Sequence, residues 1–316
     1  MLQQTTVVAV VPYFERFLDR FPTVRDLAAA DENDVLRLWE GLGYYSRARN
    51  LRKAAQVIVH EYDGVFPSDV DALQKLPGIG RYTAGAIASF AFDRRAPIVE
   101  ANTLRLYCRL LGYAGDPRSK AGQDELWSFA EAILPKTQPG RLNQALMELG
   151  ATVCSPKEPD CEHCPVHSHC RAFVEGTQAA IPQLATRPVI TDVVEVSVAV
   201  RQGKKYLLRR RPPGERWAGL WDFVRFAVAD STTPACVVAA VREHTSLKVE
   251  LGPQLAELKH GVTRYRIRLK CFTAEAVSGE LRTDGEWQWV SSKDFGDYPL
   301  SVTGRKFAKL LAESLF

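Results

Sequence analysis

Apolar residues recur at the spacing of an α-helix over the first part of the chain. Up to about residue 172 they return every three or four positions, which gives each segment one apolar face. This period predicts helices over 68–76, 81–92, 102–111, 121–133 and 140–152. The run Thr23-Val24-Arg25-Asp26 predicts a further helix start, because its hydroxyl and carboxylate can satisfy the unpaired backbone groups of a first turn.

The period changes to two in the last part of the chain. Val194, Val196, Val198 and Val200 alternate with other residues, and residues 264–271 alternate between apolar and basic side chains, as in strands. Helices are predicted over 233–245 and 303–315. Residues 175–188 have no period and contain two prolines, which indicates a linker. We therefore expect an all-α domain over 1–172, a linker over 173–190 and an α+β domain over 191–316.

Composition excludes a membrane-spanning protein and a disulfide-stabilised one. The chain is 46% hydrophobic and 25% charged, and no apolar run approaches the roughly 20 residues that cross a bilayer. Seven cysteines, an odd number, fit a disulfide framework poorly. We expect a soluble monomer in the cytoplasm, without a membrane partner and associated with the nucleoid if the source is bacterial. The net charge of +4 supports a nucleic-acid partner only weakly.

Four cysteines lie close together in the sequence, with intervals of six, two and five residues. These are Cys154, Cys161, Cys164 and Cys170, in a loop over 154–170. Four soft thiolates can complete either an iron–sulfur cubane or a tetrahedral zinc site. Structural zinc sites usually pair two close doublets, so this spacing favours a 4Fe-4S cluster. The neighbouring histidines, His163, His167 and His169, are expected in solvent.

A glycine pair marks a hairpin between two of the predicted helices. Leu76-Pro77-Gly78-Ile79-Gly80-Arg81-Tyr82 follows a short helix, expected to be capped at Ser68, and opens the next one. Such a turn directs backbone N–H groups outward beside a helix N-terminus, where they can bind a phosphate without reading base sequence. An ordinary helix–helix connection is the alternative.

The hairpin followed by the cysteine loop resembles the endonuclease III superfamily of DNA glycosylases, and within it the adenine DNA glycosylase (MutY) family. Further motifs carry the resemblance: Met1-Leu2-Gln3-Gln4-Thr5, Pro12-Tyr13-Phe14, the run from Trp39 to Asn50 (WEGLGYYSRARN) and the run from Asn143 to Gly150 (NQALMELG). The resemblance implies a helix-hairpin-helix glycosylase domain with an iron–sulfur loop, followed by a Nudix-like domain. It implies double-stranded DNA with A:8-oxoguanine or A:G mispairs as the partner.

The resemblance also implies how the protein holds DNA. Gln4 and Tyr44 would enter the base stack, with Leu42 beside them, because a base must leave the duplex before its bond is cut. One of Tyr44 and Tyr45 is expected in the core. The full set implied to contact DNA is Gln4, Thr5, Leu42, Tyr44, Gly78, Gly80, Arg81, Thr263 and Arg264.

The residue type at position 82, here tyrosine, distinguishes subfamilies of these DNA glycosylases. Relatives that also cut the DNA backbone carry a lysine at this position, whose amine attacks the sugar. A phenol cannot form a Schiff base, so the resemblance implies a hydrolytic, monofunctional enzyme.

Hydrolytic removal of adenine requires two carboxyl groups with different tasks, an acid for the purine and a carboxylate for the sugar. Aligning Pro97 to Asn102 with the family's Asp-Gly-Asn motif places Glu100 at the sugar, with Ala101 for the glycine and Asn102 retained. The family's acid is a glutamate just before the Met-Leu-Gln-Gln-Thr motif, which here begins at Met1. We therefore expect the chain to be truncated at its N-terminus. A mis-assigned start, a genuine short form that binds lesions without cleaving them, and a decayed gene product stay open.

The last domain resembles the family's Nudix-like module, which reads 8-oxoguanine. The likeness rests on Arg210-Arg211-Pro212-Pro213, on the run from Trp217 to Phe223 (WAGLWDF) and on Tyr298-Pro299-Leu300-Ser301. Residues 237–249 lack paired glutamates for magnesium, so pyrophosphate hydrolysis is not expected. The family's Phe-Ser-His reading loop corresponds to Val262, Thr263 and Arg264. His260 is expected to be a satisfied structural histidine.

Together these features predict an adenine DNA glycosylase of base excision repair, with Glu100, Asn102 and Tyr82 at its catalytic site. Two other functions stay open. An endonuclease III-like glycosylase/lyase would form a covalent intermediate that borohydride traps. A lesion-binding protein would bind the mispaired duplex and release no adenine.

Overall fold

The structure is a computed structural model that describes residues 1–2, 5–183 and 189–313. By contact the chain divides into two compact units, one of Met1–Gln56 with Pro188–Phe316 and one of Val57–Arg187. The predicted domains follow the change of sequence period near residue 172. Contacts instead group the first helices with the sheet. This grouping cannot be predicted from the hydrophobic period of the sequence. No helix in the described ranges is long and apolar enough to cross a bilayer.

The unit Val57–Arg187 is helical. It contains the end of α4 (Ser46–Glu61), which begins in the other unit. The helices after it are α5 (Val70–Gln74), α6 (Arg81–Phe92), α7 (Ala101–Leu111), α8 (Lys120–Ile133), α9 (Pro139–Thr152) and α10 (Arg171–Val174). A 3₁₀ turn covers His167–His169. The predicted helices lie within a few residues of these bounds. The expected cap of α5 at Ser68 is wrong, because the side chain of Asp69 accepts the first-turn N–H of Ala72.

The core of this unit forms where α7 meets its neighbours. Leu106, Tyr107 and Cys108 of α7 are fully or almost fully buried and belong to one cluster with Leu126 of α8 and Leu146 of α9. Burial of these side chains stabilises the packing of α7, whose N-terminal end carries Glu100.

The predicted linker is partly packed. Ile181 is buried in the same cluster, and its carbonyl accepts a hydrogen bond from Arg109 Nε at 3.0 Å. The linker segment therefore packs against the helical core at Ile181, which its lack of a sequence period does not indicate. Residues 184–188 of the linker lie outside the described residues.

The other unit begins with three helices and the start of α4. These are α1 (Val7–Arg20), α2 (Val24–Ala29) and α3 (Glu32–Leu38). The capping box at Thr23 is confirmed, since Asp26 N donates to the Thr23 hydroxyl and Thr23 N donates to the Asp26 carboxylate. Leu220, from the last part of the chain, is fully buried in the cluster that these helices form.

A mixed sheet forms the rest of this unit. Its strands are β1 (Thr191–Gln202), β2 (Lys205–Arg210), β3 (Trp221–Asp222), β4 (Val224–Val228), β5 (Lys248–Val262), β6 (Tyr265–Ser278) and β7 (Trp287–Ser291). The main path is β3-β2-β1-β6-β5, while β4 pairs with β1 and β7 with β2. Helices α11 (Pro234–Thr245) and α12 (Val302–Glu313) and a 3₁₀ turn (Ser292–Asp297) complete it.

Strand β1 is buried on both faces. Its valines alternate with other residues in the sequence, as predicted for a strand, and residues 195–200 are all buried. Val196 and Val198 lie in one core cluster and Ala199 in another, so both faces of the strand are covered. β1 lies between parallel β6 and antiparallel β4, which is the environment of a central strand.

Candidate DNA-contacting and catalytic site

Glu100 is the N-cap of α7. Its Oε1 accepts hydrogen bonds from the backbone N–H groups of Asn102 and Thr103, both at 2.9 Å, and the Thr103 hydroxyl accepts from Glu100 N. Carboxylates are favoured at helix N-termini by the unpaired N–H groups and by the helix dipole. Oε2 accepts no hydrogen bond from the described part of the chain. One oxygen therefore orients the side chain, and the other is left without a hydrogen-bond partner in this part of the chain.

Small residues hold the segment before Glu100 close to two helices. A Cβ on Gly85 of α6 would lie 2.2 Å from the carbonyl oxygen of Pro97. Asn143 of α9 is buried and donates to the carbonyl of Ala96 at 2.9 Å and to the Ser89 hydroxyl at 3.0 Å. The NQALMELG motif thus contributes a buried amide that positions residues 96–100.

Tyr82 lies in the first turn of α6. Burial, and after it the negative charge of Glu100, raise the pKa of the Tyr82 hydroxyl. The phenol therefore stays protonated and can donate a hydrogen bond. Tyr107 of α7 has the same two influences, and its fully buried hydroxyl has no partner among the described residues.

Arg105 and Arg109 connect α7 to the cysteine loop, and the sequence interpretation missed both. Arg105 donates to the Asn102 side chain at 3.1 Å and to the carbonyl of Cys154 at 2.8 Å. Arg109 is 2% exposed and donates to the Cys154 sulfur at 3.2 Å. Their spacing of four residues on a helix that also carries Glu100 is the signal that could have indicated a shared face.

The four loop cysteines line one small pocket together with Leu106 and Arg109. No three Cys, His, Asp or Glu side chains in the described ranges converge on a single metal ion. The expected exposure of His163, His167 and His169 is confirmed. Hydrogen bonding to Asp160 raises the pKa of His163.

The glycine hairpin leaves the start of α6 open. Gly78 adopts a φ of +78°, a left-handed conformation that glycine tolerates, and Gly80 is an N-cap without a side-chain hydrogen bond. A Cβ on Gly80 would meet no atom within 4 Å. The first amides of a 12-residue helix are therefore accessible. The Arg81 guanidinium stacks 3.8 Å from the ring centroid of Trp127.

Residues 39–45 of the WEGLGYYSRARN run form a tight loop in the other unit, and residues 46–50 begin α4. Tyr44 is 51% exposed with a φ of +49°, whereas Tyr45 is buried, as expected for one of the pair. Leu42 is 7% exposed and packs in the helical core. The expected direct DNA contact by Leu42 is therefore wrong for this conformation, because its side chain supports the loop from inside. Thr5 is half-buried, and Gln4 lies outside the described residues.

The three positions matched to the lesion-reading loop lie at the β5–β6 hairpin. Thr263 has a φ of +51° and donates to the carbonyl of Val262 at 2.7 Å. Arg264 donates to the Tyr265 hydroxyl at 3.1 Å. Both are exposed, as a reading role requires. His260 is not fully satisfied: Nε2 faces Arg225 at 3.4 Å, but Nδ1 is buried without a partner in the described structure.

Comparison with known proteins identifies both parts of the chain. Residues 1–132 match the HhH-GPD superfamily of base excision DNA repair proteins, and residues 196–310 match the NUDIX domain. The chain is 44% identical over 213 residues to adenine DNA glycosylase of Mus musculus, covering 67% of this chain and 41% of that protein. It is 32% identical over 360 residues to adenine DNA glycosylase of Arabidopsis thaliana, covering 97% of this chain and 57% of that one.

A solved structure described as a thermostable thymine-DNA glycosylase aligns with a TM-score of 0.50 at 28% identity, covering 55% of this chain and 80% of that chain. The chain spans about 40 to 60% of the length of the mouse and plant relatives. It nevertheless joins the helix-hairpin-helix and NUDIX domains in one sequence, and the similarity to the plant relative extends over nearly all of it. Residues 1–132 therefore belong to the HhH-GPD superfamily of base excision DNA repair proteins, residues 196–310 form a NUDIX domain, and the chain is a homologue of the adenine DNA glycosylases.

Proposed function

We propose that this protein is a monofunctional DNA N-glycosylase that removes adenine opposite 8-oxoguanine or guanine. The observation that carries the proposal is the carboxylate of Glu100, which is oriented through one oxygen and open at the other. A carboxylate so placed can stabilise the positive charge that develops on the sugar as the N-glycosidic bond breaks. The named relatives support adenine as the base. We assign the acid that protonates the purine to no residue of this sequence.

Tyr82 and Asn102 act as neighbours of that carboxylate in the proposed mechanism. Tyr82 is a protonated phenol without an amine, so the sugar is attacked by water or by Glu100 itself and no Schiff base forms. Asn102 is held by Arg105 and keeps the first turn of α7 in place behind Glu100. The phenol at Tyr82 therefore predicts hydrolysis with no cut in the DNA backbone.

The proposed DNA contacts come from three places in the chain. The amides after Gly78 and Gly80, with Arg81, bind a backbone phosphate at the start of α6. Tyr44, with Thr5 and Gln4, fills the gap that the everted adenine leaves. Thr263 and Arg264 read the oxidised guanine, for which the Thr263 hydroxyl must turn away from the Val262 carbonyl. We propose a monomer with functional domains over 1–172 and 191–316.

The cysteine loop is proposed to hold a 4Fe-4S cluster through Cys154, Cys161, Cys164 and Cys170. The donor set fits, because four soft thiolates line one pocket. Bound there, the cluster would supply a rigid crosslink of the loop. Arg109 offers a charged N–H donor to the Cys154 sulfur and ties the loop to α7.

The test is an excision assay on duplexes with one A opposite 8-oxoguanine, G or T. The protein should be produced with any residues that its gene encodes upstream of Met1. We expect adenine release opposite 8-oxoguanine and G, little opposite T, and no covalent complex after borohydride. A trapped complex would indicate a glycosylase/lyase, and tight binding to the mispair without adenine release would indicate a lesion-binding protein.

A further inference from the structure

Glu40 is held by a two-point ion pair from the far end of the chain. Arg305 Nε lies 2.7 Å from Glu40 Oε1 and Nη2 lies 2.9 Å from Oε2, with side-chain exposures of 24% and 18%. The backbone N–H of Leu300 also donates to Oε2, at 3.3 Å. Both residues belong to the same compact unit. A bidentate, partly buried pair of this kind fixes orientation as well as distance.

Arg305 is itself immobilised by other hydrogen bonds. Nη1 donates to the carbonyl of Phe295 and Nη2 to that of Tyr298, both at 2.7 Å. Because its other N–H groups are engaged in this way, the guanidinium cannot follow Glu40 if the helices shift. The N-terminal turn of α12 therefore holds the guanidinium that binds the Glu40 carboxylate in a fixed position.

Glu40 immediately precedes the loop that presents Tyr44. Gly41, Gly43 and Tyr44 all have positive φ values, of 102°, 70° and 49°. The loop is held from within, where Tyr45 Oη accepts from Gly41 N at 3.3 Å and Trp39 Nε1 donates to the carbonyl of Gly43 at 3.1 Å. A residue with a side chain keeps a positive φ, as Tyr44 does, only where neighbouring contacts impose it. The ion pair of Glu40 with Arg305 fixes the start of this loop from outside.

A chain of direct contacts connects the N-terminal turn of α12 to the β5–β6 hairpin. His260, two residues before Val262 on β5, lies 3.4 Å from Arg225 Nη2. Arg225 Nη1 donates to the Thr303 hydroxyl at 2.9 Å, and Thr303 lies in the first turn of α12, two residues before Arg305. Arg225 is also buried between two carboxylates, Glu195 and Asp222, so it has little freedom to adjust independently.

We propose that the Glu40–Arg305 pair couples the hairpin at Val262–Arg264 to the loop that presents Tyr44. Glu40 and Arg305 are positioning residues: they set the conformation of Tyr44 according to what the hairpin contacts. This inference rests on the proposed function, in which Thr263 and Arg264 meet the oxidised guanine and Tyr44 enters the base stack. Base recognition opposite the adenine thereby adjusts the residue that holds the duplex open.

The test measures binding of the full chain to two duplexes, independently of catalysis. The target adenosine carries a 2′-fluoro group, which resists hydrolysis, and is placed opposite 8-oxoguanine or opposite G. A neighbouring 2-aminopurine reports stacking by its fluorescence. We expect the wild-type protein to prefer 8-oxoguanine, and Glu40→Gln to reduce that preference by about tenfold, within the usual range of coupling between sites.

Two comparisons separate coupling from a purely structural role. Glu32→Gln breaks the Glu32–Arg210 pair (2.9 Å), which also joins the first helices to the sheet but does not adjoin the loop, and it should keep the preference. In a Tyr44→Ala background, Glu40→Gln should have no further effect, because its action passes through Tyr44. Arg305→Lys, which keeps the charge and loses the two-point geometry, replaces Glu40→Gln if that variant fails to fold.

Each remaining outcome is decisive. An unchanged preference in Glu40→Gln, or an equal effect of that change with and without Tyr44, overturns the coupling while the proposed function stands. A wild-type protein that binds the two duplexes equally overturns the coupling, and one that binds neither duplex overturns the proposed function with it.

Discussion

At the scale of single residues, Glu100 combines a structural and a chemical task in one carboxylate. Oε1 caps α7 through two backbone N–H groups, while Oε2, which has no hydrogen-bond partner in the described part of the chain, is the oxygen proposed to act on the sugar. The two tasks can be separated because a neutral amide oxygen can still cap a helix but carries no charge. The hydrogen bonds that hold the side chain are therefore distinguishable from the charge that serves the reaction.

Glu100→Gln should reduce adenine excision by about 100-fold or more, since it removes charge stabilisation of the transition state and keeps a capping acceptor. Its unfolding free energy should stay close to that of the wild type. Glu100→Ala should in addition lose about 1 kcal/mol of stability through the missing cap. Single-turnover excision and urea unfolding measure the two effects. Equal stability losses in both variants would contradict the division of tasks.

His260 provides a second prediction at this scale, on the pH dependence of stability. Burial, and then the positive charge of Arg225, lower the pKa of His260 below the usual 6.5. Arg216 lowers it further, while the negative charges of Glu195 and Asp222 oppose the shift without cancelling it. The unfolded chain therefore binds a proton more readily than the folded one below pH 6.5. Stability is present in full above that pH and falls as the pH drops from 6.5 towards the lowered pKa.

His260→Gln retains an acceptor for Arg225 and cannot titrate. The loss of unfolding free energy between pH 7 and pH 5.5 should accordingly be smaller in His260→Gln than in the wild type, measured by urea unfolding at both pH values. An unchanged pH dependence would mean that His260 does not carry it.

At the scale of elements, glycines of α6 serve two different purposes. Gly85 lets the segment before Glu100 pass close to the helix, because a side chain on Gly85 would overlap the carbonyl of Pro97. Gly80, five residues earlier, faces open space at the accessible end of the helix. Gly85 allows close packing, whereas Gly80 leaves room for the proposed phosphate.

Gly85→Ala and Gly80→Ala form a matched pair. Gly85→Ala should destabilise the protein by about 1–3 kcal/mol, because the new methyl group overlaps the Pro97 carbonyl and displaces the segment that ends at Glu100. Gly80→Ala should leave stability nearly unchanged and weaken duplex binding, because its methyl group obstructs the approach of a phosphate. Thermal unfolding and duplex titration measure both. Weakened binding only in Gly85→Ala would argue against the hairpin as a phosphate site.

At the scale of the whole molecule, the cysteine loop and the sheet belong to different compact units. The loop joins α7 through Arg105 and Arg109, and both arginines lie within Val57–Arg187. The strands have separate core clusters in the other unit. Damage to the loop should therefore spread through one unit first.

Cys164→Ser should yield a protein with less than the roughly four iron atoms per chain expected of a cubane. Amide hydrogen exchange should become faster in α7 and α9, while β1 and β6 keep their protection, because local openings follow cooperative units. Cys236→Ser, at an exposed cysteine outside the loop, is the control. Iron in the wild type at one atom per chain, or none, would contradict the cluster.

Much of the helical architecture follows from local pattern. Helices α5 to α9 and α11 lie within a few residues of their expected bounds, because each is set by nearby apolar spacing and turn residues. Burial of β1 on both faces was not predicted, since it depends on strands and helices far away in sequence. The roles of Arg105 and Arg109 were missed for the same reason, because arginine on a helix is ordinarily exposed.

The amino-acid sequence by itself determined the family, the hairpin, the thiolate set and the carboxylate at Glu100, because these depend on residue type and short spacing. Only the tertiary structure decided which oxygen of Glu100 is open, that Leu42 is buried while Tyr44 is exposed, and that Glu40 meets Arg305 across more than 260 residues. The physical reason is that burial and pairing are properties of surroundings. The surroundings of a side chain are assembled from distant segments, whose proximity no local pattern records.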